Sequence, residues 1–154
     1  MKKFVLLFVL IFSTLSTISA QVDGKAIGLR FGGIDGIGAE VSYQHPLGSS
    51  NRLEADLGIN SWGLSFTGIY QWVWDLSALA DGFNWYAGVG GILGIHDGDS
   101  NNSNFGLGVA GQVGIEYNFN IPLQLSLDYR PAVYVLPSFN GGYDGICLSV
   151  RYKF

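Results

Sequence analysis

From position 146 to the end of the chain, Ile146, Leu148, Val150, Tyr152 and Phe154 are apolar, while Ser149, Arg151 and Lys153 between them are polar. Successive side chains of a β-strand point to opposite faces, so this segment has one greasy and one charged face. The same period of two recurs in about eight segments, near 25–32, 36–44, 52–60, 64–74, 85–95, 106–118, 123–134 and 143–154. Turn residues separate them. A chain written this way is all-β, an antiparallel sheet whose two faces meet different surroundings. Most segments are close to the roughly 9–11 residues that a tilted strand needs to cross a bilayer.

One face is apolar in almost every segment. It carries Ile27, Leu29 and Phe31 in the first strand, Val41 and Tyr43 in the second, Leu53 and Leu57 in the third, and Phe66, Tyr70, Trp72 and Trp74 in the fourth. Val89 and Leu93, Leu107 and Val113, and Leu125 and Leu127 continue it through the fifth, sixth and seventh. The other face is small and charged: Arg30, Glu40, Glu54, Asp56, Glu116, Asp128, Arg130, Arg151 and Lys153, with glycines such as Gly88, Gly94, Gly108 and Gly114 between them.

In a soluble sandwich the apolar face would be the inside. Aromatic placement argues for the reverse. If the strands run alternately up and down, Tyr43, Trp74, Trp85, Tyr117, Phe119, Tyr152 and Phe154 all fall at the strand ends nearest the chain termini. Amphipathic rings sorted by height form the girdle of a transmembrane barrel, and Phe31, Trp62 and Phe66 suit a thinner second ring at the opposite edge. The charged face then lines the lumen. Eight strands enclose a space only wide enough for side chains, so opposite charges are expected to pair across it, with Glu116 or Glu54 as the partner of Arg151. Inward glycines leave room for Tyr86, Tyr134 and the arginines, and Cys147 points inward as an inert filler.

The N-terminus reads as a leader. Lys2 and Lys3 precede an apolar run from 4 to 12 and then a small, polar stretch to Ala20, the order of a secretory signal peptide. The run is too short to span a bilayer as a helix. Cleavage after Ala20 is expected, although Ile18 departs from the usual small residue; no cysteine follows the site, which argues against a lipoprotein. Residues 1–20 are therefore assigned to the leader and 21–154 to one barrel domain. Without Lys2 and Lys3, six basic residues face twelve acidic ones, a formal charge of −6. That balance argues against nucleic acid as a partner. The lone Cys147 permits no internal disulfide.

The terminal Arg-Tyr-Lys-Phe at 151–154 resembles the C-terminal signal of Gram-negative outer-membrane β-barrels. With the leader and the eight amphipathic segments, the mature chain as a whole resembles the small OmpA/OmpX-type outer-membrane barrels. The Trp-Tyr-Ala-Gly-Val-Gly-Gly run at 85–91 resembles uncharacterised members from the Bacteroidetes. The resemblance implies an eight-stranded antiparallel up-and-down transmembrane barrel in the outer membrane, a monomer with both mature termini periplasmic. Its partners would be outer-membrane lipid and, during assembly, the barrel-assembly machinery, which would read Phe154. One departure is that the segments at 33–35 and 61–63 are short where that family carries long external loops.

Activity is less constrained, because the family includes anchors, adhesins and lipid-modifying enzymes. His96 beside Asp97, Asp99 and Ser100 is the one candidate catalytic group, yet adjacent loop residues rarely converge as nucleophile, base and orienter. His45 before Pro46 reads as turn chemistry. The oxygen-rich run 97–103 fails as an EF-hand, since Asn102 stands where the sharp turn needs glycine and Gly108 where the bidentate glutamate should be. No catalytic residue, metal or cofactor is expected. The favoured reading is a non-enzymatic, structural barrel with a charge-plugged lumen; a narrow solute pore, a lipid-modifying enzyme and a soluble ligand-binding barrel remain as alternatives.

Overall fold

The computed structural model describes residues 22, 24–32, 38–60, 63–96, 104–136, 142–143 and 145–154, and every regular element among them is a β-strand. The leader at 1–20 with its cut site, the segment 33–37, Trp62 and the run 97–103 lie outside the described residues. Ten strands follow in order: β1 (Ala26–Gly32), β2 (Gly38–Pro46), β3 (Asn51–Asn60), β4 (Gly63–Asp75), β5 (Phe83–His96), β6 (Asn104–Asn118), β7 (Leu123–Tyr129), β8 (Ala132–Leu136), β9 (Gly142–Tyr143) and β10 (Ile146–Lys153). They make eight staves, because β7 with β8 and β9 with β10 are halves of single walls.

The seventh stave is broken by Pro131, which has no N–H to donate to the ladder. The pairing survives the break. Val113 faces Tyr129 before it and Ala110 faces Ala132 after it in the same register, while the Gly111 N–H donates to the Pro131 carbonyl at 2.8 Å. The expected turn at His45 and Pro46 is instead the end of β2, with His45 opposite Leu53 and Pro46 opposite Arg52. β1 begins opposite Gln44, so at Pro46 the missing N–H faces no neighbour on that side.

All pairings are antiparallel, and the contacts of β1 with β10 and of β5 with β6 close the ring. From Lys153 a walk across the ladder partners Ala26, Gln44, Glu54, Ile69, Gly90, Ala110 and Ala132 returns to the eighth stave at Tyr143, ten residues away. A stagger of ten over eight strands tilts the walls by about 40° and leaves a radius of about 8 Å to the backbone. The turns at 47–50, 76–82 and 119–122 share one end of the barrel with the start of β1 and the end of β10, hereafter the terminal mouth.

Burial is inverted relative to a soluble domain. Among the described residues, fifteen polar or charged side chains are buried, against seven apolar ones, while thirty-one large apolar side chains are exposed. Val89 is 57% exposed and Val109 60%, whereas Arg30, Glu54 and Arg151 are at 1% or less. The interior is full enough that glycine is required where a ring crosses it. A Cβ on Gly114 would lie 2.6 Å from the Asp128 Cβ and 2.7 Å from the Tyr86 ring, and one on Gly94 would lie 2.9 Å from the Tyr134 hydroxyl.

Candidate functional site

The inward positions of the staves converge on one polar network, and the stagger sets its order along the axis. Nearest the terminal mouth, Arg52 on β3 reaches across to Glu116 on β6, with Nη2 and Oε2 2.6 Å apart and both side chains almost wholly buried. The Arg52 guanidinium lies 5.0 Å from the centroid of the Tyr86 ring, a cation–π contact. Glu116 also accepts from Asn84 at 3.1 Å, Asn118 at 3.3 Å and Gln124 at 3.2 Å. A buried carboxylate is tolerable when its lone pairs are filled in this way.

Amides carry the network inward. Arg52 Nε donates to Gln71 at 2.5 Å, Gln71 Nε2 donates to Gln112 at 2.6 Å, and Gln112 Nε2 donates to Glu54 Oε1 at 3.0 Å. The other oxygen of Glu54 accepts from Gln44 at 2.7 Å and from Arg151 Nη2 at 2.9 Å. Arg151 also donates through Nε to Ser42 at 3.0 Å and through Nη1 to Ser126 at 2.8 Å. Of the two carboxylates at the depth of Arg151, then, Glu54 is its partner and Glu116 belongs to Arg52.

Farther from the terminal mouth a second cluster forms. Arg30 on β1 pairs with Asp128 on β7 and, at 2.9 Å, with Glu40 on β2. Arg130, at the break in the seventh stave, donates to Glu40 Oε1 at 2.6 Å and to Asp56 at 2.5 Å. The Tyr86 hydroxyl donates to Asp128 at 3.1 Å, so one ring touches both clusters. Lys153 lines the terminal mouth beside Gln124 and Glu116. Cys147 is buried among these groups as a free thiol.

Two features of the lumen escaped the sequence reading. Arg52 was not assigned to the charged face, although it stands two residues before Glu54 and so shares its parity; with it, five acids meet five bases. Gln44, Gln71, Gln112 and Gln124 share the inward parity too, but as neutral amides they do not stand out on a face marked by its charges. The lumen is also apolar in part, since Ile69, Ala110 and Ala132 form a buried cluster with Ile92 packed on it. On β4 and β5 both faces carry large apolar residues, so alternation alone is a weak guide there.

Outside the barrel, one residue climbs roughly 2.5 Å along the axis at this tilt. Trp74, Trp85, Tyr117, Phe119, Tyr152 and Phe154 then fall in a band roughly 7 Å tall at the terminal mouth, with Tyr43 roughly 6 Å above its upper edge. Trp74 stacks on Trp85 with centroids 4.2 Å apart, and Tyr117 meets Phe119 edge-on at 4.6 Å. Tyr43 Oη lies 3.4 Å from His45 Nδ1. His96 ends β5, its backbone opposite Gly63 and Asn104; its side chain, like Asp97, Asp99 and Ser100, lies outside the described set. Among the described residues no group of three or more His, Cys, Asp or Glu side chains is placed to hold a metal ion.

No family model matches the chain, and no curated protein matches it by sequence. Solved structures do match. The N-terminal β-barrel domain of Pseudomonas aeruginosa OprF aligns with a TM-score of 0.70 at 12% identity, covering 85% of this chain and 97% of that one. Neisserial surface protein A aligns at a TM-score of 0.60 and 16% identity over 84% of this chain and 94% of that one. A de novo designed transmembrane β-barrel aligns at 0.60 and 12% identity, over 85% and 95%. At these identities the likeness is one of fold: a closed, eight-stranded antiparallel barrel.

Proposed function

We propose that this chain is an integral outer-membrane β-barrel of the small OmpA/OmpX type, structural in role and non-enzymatic, whose own side chains plug its lumen. The observation that carries this reading is the inversion of burial. A continuous belt of exposed apolar side chains surrounds buried ion pairs, and in water such a belt far exceeds the apolar patch of an ordinary monomer. In a bilayer the same belt is the solvated surface. The fold shared with the OprF domain and neisserial surface protein A supports the outer membrane as its location. The composition of 85–91 is the support for a Bacteroidetes-like kinship.

On this reading residues 1–20 are removed as a signal peptide. Both mature termini face the periplasm, the aromatic band at the terminal mouth lies at the inner headgroups, and Phe154 is read by the barrel-assembly machinery. Membrane lipid is then the main partner of a monomer. The plug is the four-arginine, five-carboxylate network, and because those charges are spent on one another they are unavailable as acid, base or nucleophile. Cell fractionation should place the protein with the outer membrane, and the refolded mature chain should give no steady conductance in planar bilayers. Recovery in the aqueous periplasmic fraction would sink the membrane assignment, whereas steady conductance would convert the plug into a narrow pore.

A further inference from the structure

Val22, four residues ahead of β1, lies across the terminal mouth from it. Val22 packs against the buried pair Val73 and Tyr86, which point inward from β4 and β5. In a ring of eight staves those walls are the third and fourth away from β1, on the opposite side of the lumen. The Val22 N–H donates to the Ser49 carbonyl, in the turn between β2 and β3, at 2.7 Å. The near end of the segment is tied down at Lys25, which exchanges two backbone hydrogen bonds with Phe154, at 3.0 and 2.8 Å.

Between these anchors Gly24 has a φ of +77°, and a Cβ there would come 3.2 Å from the Phe154 carbonyl oxygen. That combination makes it the bend that turns the chain over the mouth. Beneath the segment a cleft of about 20 Å³ reaches down between Gln44, Gln124 and Lys153 to Arg52 and Glu116. It has room for about one water molecule.

We infer that Val22, Gly24 and Lys25 belong to a strap that seals the terminal mouth of the lumen, with Val22 as the plug and Gly24 as the hinge. The inference rests on the proposed reading for the removal of residues 1–20 and goes beyond it otherwise, since it holds whether or not the deeper ion pairs conduct. With residues 1–20 removed, Val22 is the second residue of the mature chain. Among the described residues, swinging it out then breaks the Val22–Ser49 backbone hydrogen bond and the packing on Val73 and Tyr86, while β1 and its ladder stay in place. The strap is a short local opening unit on an otherwise continuous sheet.

The test uses the mature chain, with Cys147→Ser and Val73→Cys, refolded into phosphatidylcholine vesicles with a methanethiosulfonate reagent on both sides. With the native strap the thiol should label slowly. Val22→Gly, or deletion of residues 21–23, should raise the rate about tenfold or more, whereas Val22→Ile should leave it nearly unchanged. Equal rates in all variants, each showing the heat-modifiable mobility of a folded barrel, would overturn the strap. If the truncated chain does not fold, Val22→Cys combined with Val73→Cys and Cys147→Ser decides the matter. Copper phenanthroline should join those two cysteines in the folded barrel, and no cross-link there would equally overturn it.

Discussion

The two halves of the lumen solve the same problem differently. Toward the terminal mouth, two arginines meet two glutamates one to one, Arg52 with Glu116 and Arg151 with Glu54, and glutamines join the pairs into a chain. In the farther half, Arg30 and Arg130 serve three carboxylates, and Glu40 is shared between them. The Glu40 side chain is 19% exposed, whereas that of Glu54 is wholly buried. Matched, dry charges depend on each partner being present, because whichever remains is stranded away from water. An unmatched cluster already divides its cations among too many anions, so it should lose an acid at little cost.

The sharpest way to break this contrast is Arg151→Met, which strands Glu54 and should cost about 3–5 kcal/mol of stability. Adding Glu54→Leu should recover much of the loss, whereas Arg151→Met with Glu116→Leu should be additive within about 0.5 kcal/mol. Urea unfolding in lipid vesicles reads both cycles. Coupling to Glu116 as strong as that to Glu54 would mean that the terminal half is one pool of charge rather than two pairs.

Gly114→Ala tests the junction of the halves, since its Cβ would press on Tyr86 and Asp128 together. Overfilling there should cost about 1–3 kcal/mol, and Tyr86→Phe in the same chain should relieve part of it only if the hydroxyl is the obstructing atom. Gln71→Leu, which removes the amide between Arg52 and Gln112, should cost about 1–3 kcal/mol by leaving buried polar groups unpaired. A neutral result would show that the glutamine chain is incidental to the terminal half.

The smallest effect belongs to the far cluster. Glu40→Gln keeps the shape and leaves two arginines facing two carboxylates, so the loss should stay below about 1 kcal/mol, against several for Glu54→Gln. Thermal unfolding of the two variants in the same detergent compares them directly. Equal losses would erase the distinction between matched and shared charges.

Much of this architecture was legible because a strand's period of two sorts side chains without reference to any partner. Eight segments, their bounds within a few residues, and the inward parity of Arg30, Glu54, Asp56, Asp128 and Arg151 follow from local alternation. The exceptions have local causes as well. Pro131 divides a stave because it lacks a donor, and β2 runs on to Pro46 because no neighbour demands one there. Ile69 and Val73 hid among apolar neighbours on both faces of β4. Arg52 was readable by parity but lay at the start of its segment, where the pattern has too few repeats to be convincing.

Which residues share a face follows from the amino-acid order alone, since it depends only on neighbours two positions apart. What that order could not determine is depth and azimuth, because these accumulate around the ring from every register in turn. A stagger of ten residues sets Arg151 of the eighth stave against Glu54 of the third and leaves Glu116 of the sixth to Arg52. The same closure carries Val22 over to walls far from its own strand. Local periodicity chooses the inside and the outside; only the closed barrel, with its registers summed, decides which inside groups meet.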